Sequence, residues 1–266
     1  MGDLLVRWHA ALEEQSPVAV ATVIEGPGVG GKILVSPEDH VGSGGNDDLD
    51  RAIIEAARGM LEGGRTGTIH LGPRGQRRME DVAVFVQSFS PPPRMYVFGA
   101  IDFASAVAKV GKFMGYRVTV CDARPVFATR ERFPTADEVV VAWPDEFLKT
   151  APVDKRTVIC VLTHDPKFDV PVLVRALETE AGYIGAMGSR RTHNNRAARL
   201  KEEGITDEQL SRVSSPIGLD IGARTPEETA VAIAAEIIAL RTGHSGGRLS
   251  GRSGPIHAAE AAARRE

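Results

Sequence analysis

The chain has 266 residues, of which 42% are hydrophobic, and a formal net charge of −3. This composition can fill one large core or two modest ones. The slight excess of acids argues against a general nucleic-acid-binding protein. No apolar run reaches the length of a membrane-spanning helix. The two cysteines, Cys121 and Cys160, cannot form a CxxC pair or a zinc knuckle. We therefore expect a cytoplasmic protein without a metal site.

Residues 1–90 predict a mixed α/β domain. The first 15 residues carry early acids and no small-residue cleavage site, which indicates a short amphipathic helix rather than a signal peptide. A second helix is predicted for DLDRAIIEAARGMLEGG, and strands for PVAVATVIEG, KILVS, TGTIHLG and DVAVFVQSF. The consecutive prolines of Ser90–Arg94 cannot continue either element, so we place a domain boundary there.

Residues 94–243 alternate strand and helix patterns, which predicts a Rossmann-like, doubly wound parallel sheet. Five strands are expected, in MYVFGA, RVTVCD, EVVVAW, TVICVLTHD and GYIGAMGS. The helix after the first strand is expected to bury Phe103, Ala106, Val107, Val110, Phe113 and Met114. Thr225–Glu228 is a capping box with proline at the first helical position, which predicts where the last helix begins. Residues 244–266 are rich in glycine, serine and arginine and predict a disordered tail.

The first strand ends in a turn that resembles a dinucleotide-binding fingerprint. Gly99 and Ala100 open it, but Ile101 replaces the glycine that lets the backbone approach a pyrophosphate. Asp102 places a carboxylate at the helix N-terminus, where it would repel a phosphate. Asp122 ends the next strand, where it would either bind a ribose hydroxyl or serve as a turn residue. Gly99, Ala100, Asp122 and nearby Arg124 form one candidate binding group for a nucleotide or related cofactor.

Three further motifs lie at the ends of strands, where open α/β sheets bind ligands. His164 and Asp165 follow the fourth strand, and His164 suits an acid, a base or a ligand contact, or a structural hydrogen bond to a neighbour. Gly188, Ser189, Arg190 and Arg191 open a helix. Ser189 is a natural N-cap, and the free amides with two guanidinium groups predict an anion site. The alternative is a solvated basic helix face.

The third motif is the loop Ser214–Ala223, in which two glycines flank Asp220. This spacing indicates either a shaped loop that contacts a ligand or a tight connection whose aspartate binds backbone amides. Cys121 and Cys160 lie within strand patterns, so buried, unreactive thiols are expected.

Five stretches carry a family resemblance, in the order SPPPRMYVFGA, GYRVTVCDARPVFATRERFP, VLTHDPKFDVPVL, YIGAMGSRR and PIGLDIGARTPEETAVAIAAEII. Together they resemble the XdhC/CoxI family, whose members are accessory proteins of xanthine dehydrogenase and related molybdenum hydroxylases. The resemblance covers about residues 84–241. The N-terminal part is similar more loosely, through VATVIEG and VGSGGNDDLD.

This resemblance implies a non-catalytic maturation factor that carries the molybdenum cofactor, as molybdopterin or its dinucleotide form. Such a protein assists sulfuration of the cofactor or its insertion, with a molybdenum hydroxylase apo-enzyme as partner and a cysteine desulfurase as a second candidate partner. Dimers are common for such folds, so a homodimer is one candidate for the oligomeric state. Two alternatives remain. One is an NAD(P)-dependent oxidoreductase, which Ile101 and Asp102 disfavour, and the other is a protein-interaction scaffold with a vestigial cleft.

The sequence departs from the family at two motifs. The family usually has Ser-Gly-Gly-Cys in its N-terminal domain, whereas this chain has Ser43-Gly44-Gly45-Asn46. A thiolate contact is therefore excluded at that position. The family's glycine turn usually reads Gly-Ala-Gly-His, whereas Gly99–Asp102 reads Gly-Ala-Ile-Asp. Two interpretations follow. The chain belongs to a divergent branch of the family that binds another ligand, or it is a partner subunit that works beside a paralogue that has the cysteine.

Overall fold

The computed structural model describes residues 2–77 and 79–251. The chain divides into two compact units, which meet in sequence at Pro91 and Pro92. Leu249–Gly251 forms a short 3-10 helix. Most of the segment expected to be a disordered tail, residues 252–266, lies outside the described residues, so that expectation stays a prediction.

The N-terminal unit contains a five-stranded antiparallel sheet with strand order β3-β2-β1-β5-β4. Its buried face packs against α2, which contributes Leu49, Ile53, Ala57 and Leu61 at intervals of four residues. The elements are α1 (Gly2–Glu13), β1 (Val18–Glu25), β2 (Lys32–Val35), β3 (His40–Ser43), α2 (Asp47–Glu62), β4 (Gly67–Leu71) and β5 (Val82–Phe89).

The C-terminal unit contains six strands, and every pair of neighbouring strands is parallel. Its first half consists of β6 (Arg94–Phe98), α3 (Asp102–Phe113), β7 (Arg117–Asp122), β8 (Glu138–Val141), α4 (Pro144–Thr150) and β9 (Val158–Val161). Its second half consists of α5 (Pro166–Leu177), β10 (Tyr183–Ala186), α6 (Arg190–Glu202), α7 (Asp207–Ser211), β11 (Val213–Ser214) and α8 (Pro226–Thr242).

The order of the six strands is β11-β10-β9-β6-β7-β8, so the chain runs outward in one direction from β6 and then in the other from β9. This is the order of a Rossmann sheet, with its topological switch point between β6 and β9. Successive residues of β6 alternate between two cores. Val97 packs with α3 and α8, whereas Phe98 packs on the opposite face with α4 and α5. The predicted α/β, Rossmann-like fold is confirmed.

The buried face of α3 agrees with the expected one only in part. Ala106 and Val107 are buried as expected, and the small residues Ala104, Ala108 and Gly111 are buried beside them, because the helix lies close to the sheet. A side chain at Gly111 would come within 2.5 Å of the sulfur of Met95. Phe113 is 91% exposed, so the prediction that it is buried is wrong. It follows Val107 by six residues and therefore points about 120° away around the helix.

Four short elements were not expected from the sequence, namely β3, α4, α7 and β11. The sixth parallel strand, β11, has only two residues and no apolar run of its own. Across the described parts of the chain, no helix has the length and apolar character needed to cross a membrane.

Candidate functional site

The turn after β6 is tightly built around Gly99. Its φ of +101° suits glycine, and a Cβ there would lie 2.7 Å from Cγ2 of Thr163, at the end of β9. Ile101 is the N-cap residue of α3, makes no side-chain capping bond, and packs against the core beneath the helix. The second glycine of the fingerprint is therefore replaced by a side chain that takes part in packing.

Asp122 is held by the chain itself. It is 2% exposed, and its Oδ2 accepts hydrogen bonds from the Ala100 amide at 2.8 Å and from Nη2 of Arg124 at 2.7 Å. Its Oδ1 accepts from the amide and Nε of Arg124, both at 2.9 Å. These four bonds occupy the four lone-pair positions of a carboxylate. The oxygen that would meet a ribose hydroxyl is thus already bonded within the protein.

These contacts also fix the charge of Asp122. Burial alone would raise its pKa, but the hydrogen bonds from Arg124 and Ala100 outweigh burial, and the net pKa is lowered. The Arg124 guanidinium lies 4.4 Å from the ring centre of Phe127, which stacks against it from the loop after β7. Asp102 is exposed and pairs with Arg132 at 3.4 Å. The charged side chains around the glycine turn are therefore paired with other groups of the protein.

A cleft of about 230 Å³ opens on the other side of the switch point, between α5 and α6. Its lining includes His164, Asp169, Arg191, Asn195, Arg196 and Arg199. His164 is exposed, and its ring makes no hydrogen bond to a described residue, which disfavours the purely structural interpretation of this histidine. Asp165 instead caps α5, where its carboxylate accepts from the Lys167 amide at 3.1 Å.

The floor of this cleft is a buried ion pair between α5 and α6. Nη2 of Arg196 lies 2.8 Å from Oδ2 of Asp169, and both side chains are 4% exposed. Arg196 also donates to the Met187 carbonyl at 2.7 Å and to the Ser215 hydroxyl at 3.1 Å. Burial raises the pKa of Asp169, and the hydrogen bond and charge of Arg196 only partly offset this.

The same floor carries polar atoms without partners. Oδ1 of Asp169 and Nε of Arg196 are buried, yet neither makes a hydrogen bond to a described residue. The hydroxyl of Thr163, which follows β9, is also buried and makes no hydrogen bond to a described residue. Buried polar atoms are almost always bonded, so these three atoms are exceptions within the described part of the chain.

The predicted anion motif reaches the cleft only in part. Ser189 is the N-cap of α6, and its Oγ accepts from the Thr192 amide at 3.2 Å. Gly188 precedes it with a φ of +152°, and a Cβ there would meet the Thr192 side chain at 2.9 Å. Arg191 lines the cleft, whereas the neighbouring Arg190 is exposed and does not line it. Asp220 is exposed in the loop after β11 and is also not part of the lining.

Sequence reasoning missed the three polar residues Asp169, Arg196 and Arg199. Asp169 and Arg196 are 27 residues apart, so their pairing has no local signature. One signal was present, since Arg196 lies among the basic residues of the helix that Ser189 opens, but nothing in the sequence distinguishes this buried arginine from its exposed neighbours.

Both cysteines are buried, and burial raises the pKa of each thiol to about 12. The expectation that both cysteines are buried is confirmed, and the low reactivity of their thiols stays a prediction. Asn46, at the position of the family's cysteine, is the N-cap of α2, accepts from the Leu49 amide at 3.0 Å and donates to the Pro73 carbonyl at 3.0 Å. Its side chain stabilises the start of a helix. Among the described residues, no three histidine, cysteine or acidic side chains are grouped to hold a metal ion.

Comparison with known proteins gives two family matches. A model described as the XdhC Rossmann domain matches residues 95–237, and a model described as the XdhC and CoxI family matches residues 11–72. A solved structure from Bacillus halodurans, described as a xanthine dehydrogenase, covers 94% of this chain and 98% of its own, with a TM-score of 0.54. At 20% identity, that likeness supports the fold alone.

Three curated relatives are similar in sequence. A protein of Bacillus subtilis (strain 168), named as a probable subunit of xanthine dehydrogenase, is 34% identical over 158 residues, which are 59% of this chain and 46% of the relative. The molybdenum cofactor insertion chaperone PaoD of Escherichia coli (strain K12) is 29% identical over 157 residues, 59% of this chain and 43% of PaoD.

The third, YqeB of the same Escherichia coli strain, is 26% identical over 261 residues, 92% of this chain and 48% of YqeB. The chain thus spans about half the length of the curated relatives it matches. Since the Rossmann-domain match alone covers more than half of the sequence, the chain belongs to the XdhC/CoxI family.

Proposed function

We propose that this protein is a maturation factor that binds a phosphate-bearing molybdenum cofactor as cargo and assists its insertion into a molybdenum hydroxylase apo-enzyme. Membership of the XdhC/CoxI family supports this role, as does the similarity to a protein named as a molybdenum cofactor insertion chaperone. The observation that carries the proposal is the cleft between α5 and α6, which lies at the carboxyl edge of the sheet and has Arg191 and Arg199 in its lining.

The rim of the cleft suits a phosphate group. Arg191 and Arg199 are exposed, and neither forms an ion pair within the described part of the chain. A guanidinium group donates two parallel hydrogen bonds to a phosphate, which gives direction as well as affinity. Asn195 adds an amide donor, and His164 contributes a ring nitrogen on the opposite wall. A phosphate bound at this rim would thus meet a cationic group that has no competing ion pair among the described residues.

The size of the cleft limits how much of the cargo it holds. A volume of about 230 Å³ is smaller than the roughly 300–1,000 Å³ that encloses a drug-sized ligand. The cleft therefore takes one end of the cofactor, and the rest stays accessible for transfer. Partial exposure of bound cargo suits a protein that must release it to an enzyme.

We further infer that sulfur for the cofactor comes from a partner protein. The sequence has two cysteines, both are buried, and their raised pKa values keep them as thiols at neutral pH. A persulfide relay needs an accessible thiolate, and this chain supplies none. A cysteine desulfurase that acts on the carried cofactor is the partner of suitable chemistry.

The test is calorimetric titration of the purified protein, under anaerobic conditions, with molybdenum cofactor released from a donor enzyme. Arg191→Ala should weaken binding by roughly tenfold or more, because a charge-assisted hydrogen bond contributes about 1.5–3 kcal/mol. Arg190→Ala is the matched control. It removes the same charge one residue away but does not touch the cleft, so its Kd should stay within about twofold of the unmodified protein.

Equal effects of the two substitutions would contradict the proposed site, since they would mean that only net charge matters. Absence of cofactor binding by the unmodified protein would contradict the proposed function itself. The melting temperature of each free variant is the second readout. Both arginines are exposed, so neither substitution should change it by more than a degree or two.

A further inference from the structure

We propose that the outer face of α8 is the contact of a two-fold homodimer, in which α8 packs antiparallel against α8 of a second copy of this chain. The outer face is defined by Val231, Ala234, Ala235 and Ile238, which lie along one side of the helix. This inference goes beyond the proposed function and does not rest on it, because α8 contributes no residue to the α5–α6 cleft.

The outer face is apolar although solvent reaches it. Val231 is 53% exposed and Ile238 is 43% exposed, and their separation by seven positions places them two helical turns apart on one side. The opposite side of α8 contributes Ala230, Ile233 and Ile237 to the core under the parallel sheet. The helix is therefore apolar on two opposite sides, which is typical of a helix that is covered on both.

Charged residues lie only at the two ends of the outer face. Between Glu228 and Arg241, α8 has a single charged residue, Glu236. Glu236 lies on another side of the helix, where its Oε2 accepts from the Gly218 amide at 2.9 Å. The outer face thus has acids at its N-terminal end, a base at its C-terminal end and no charge between them.

This pattern fits a second copy of the same helix in the antiparallel direction. Val231 and Ile238 are equally far from a centre between Ala234 and Ala235, so a two-fold axis there brings Val231 against the partner's Ile238. Ala235 meets the partner's Ala235 beside the axis. Small side chains at this crossing point let the two helix axes come as close as about 8 Å.

The charges at the ends of the face favour the same arrangement. Glu227 is exposed and forms no ion pair with a described residue, and antiparallel packing brings it towards the partner's Arg241. Arg241 is exposed beside Tyr116. Glu228 is engaged in the capping box, so Glu227 is the acid that is available for this contact. A parallel pair would place like charges together at both ends, which disfavours it.

A dimer of this kind leaves the α5–α6 cleft of each copy accessible. α8 and α3 cover the face of the parallel sheet on which Val97 packs, whereas α5 and α6 cover the opposite face. The contact between the copies and the cleft are therefore on opposite faces of the sheet. Substitutions on the outer face of α8 should change the oligomeric state without changing the affinity for cargo.

The experiment is sedimentation velocity of the purified protein over a series of concentrations. The unmodified protein should sediment as a dimer at about 100 µM, with a micromolar Kd because a single helix pair forms a small interface. Ile238→Lys should raise the Kd of the dimer at least tenfold, because it would bury a charge against the partner's Val231.

The matched control is Leu240→Lys, on the same helix. Leu240 is 56% exposed, but it follows Val231 by nine residues and therefore points about 180° away around the helix. Leu240→Lys adds the same charge and should change the Kd of the dimer by less than about threefold. Because Ile238 and Leu240 are both exposed, neither substitution should lower the melting temperature much.

A cross-linking assay tests the position of the two-fold axis. Ala235→Cys should form an intermolecular disulfide under mild oxidation, because the two copies of this residue face each other within the reach of a disulfide. Leu240→Cys should stay monomeric on a non-reducing gel. The native Cys121 and Cys160 are buried, so they should add no background to the assay.

Four results overturn the inference. They are a monomer at every concentration, a dimer that Ile238→Lys leaves intact, equal effects of Ile238→Lys and Leu240→Lys, and equal cross-linking of the two cysteine variants. If Ile238→Lys does not fold, Val231→Lys replaces it and the same outcomes apply. None of these results touches the proposed function, which depends on cofactor binding and on the comparison of Arg191→Ala with its control.

Discussion

Asp122 accepts a hydrogen bond from the Ala100 amide in the glycine turn, so Asp122→Ala should destabilise the C-terminal unit. The Ala100 amide would lose its acceptor at a residue that is fully buried. A buried donor left without a partner costs about 1–3 kcal/mol. The Arg124 side chain is 43% exposed and can turn to water, so its released bonds add little. We expect a loss of about 2–3 kcal/mol in the free energy of unfolding at pH 7.

The assay is urea denaturation followed by tryptophan fluorescence. Trp143 lies in the C-terminal unit and Trp8 in the N-terminal one, so a Trp8→Phe background makes the signal report on the Rossmann sheet alone. Asp102→Ala is the matched control, because it removes an exposed carboxylate from the same turn. Asp102→Ala should lower the free energy of unfolding by no more than about 1 kcal/mol, as for other surface ion pairs and helix-dipole contacts.

The pH dependence provides an independent check. The folded pKa of Asp122 is lowered, so its stabilisation is fully present above the unfolded pKa of about 4 and is lost as pH falls through the folded value. The penalty of Asp122→Ala should therefore shrink on acidification below about pH 4. A penalty below 1 kcal/mol at pH 7, or one that is constant down to pH 3, would refute the proposed role of these bonds.

Two further predictions concern reactions that the site does not support. Ile101→Gly should not create NAD binding detectable by calorimetry, because Asp122 has no lone pair left for a ribose. A micromolar Kd for NAD in this variant would show that Ile101 alone closes the turn. Cys121 and Cys160 should resist a maleimide reagent in the folded protein and react fully in 6 M urea. Rapid labelling of either thiol in buffer would contradict the inference that sulfur comes from a partner.

Local sequence signals predicted the fold well. The starts of α6 and α8 coincide with the expected caps at Ser189 and Thr225, because capping involves residues at most a few positions apart. The strands of the parallel sheet were recognisable for the same reason, as short apolar runs. The two-residue β11 was not, since only its pairing with β10 defines it as a strand.

The site was less predictable, because its decisive contacts join distant residues. From its place at a strand end, Asp122 suited either a ribose contact or a turn residue. The structure shows that Arg124, two residues away, and the distant Ala100 amide together saturate its carboxylate. The prediction that Phe113 is buried was wrong for a different reason, the position of α3 on the sheet. Its helical spacing suited burial, but the close approach of α3 to the sheet leaves an inner face made mostly of alanine and glycine, and Phe113 lies outside that face.

The distribution of unpartnered atoms indicates how this family member differs from an ordinary dinucleotide-binding protein. Among the described residues, four buried side-chain polar atoms lack a hydrogen bond, and three of them belong to Thr163, Asp169 and Arg196. Thr163 and Asp169 follow β9 and Arg196 follows β10, whereas the acid at the end of β7 is fully bonded. In a Rossmann sheet the nucleotide normally sits over the first strand and its turn. Here the atoms that still need a partner lie one strand further along, so ligand binding should respond to substitutions after β9 and be insensitive to conservative changes in the glycine turn.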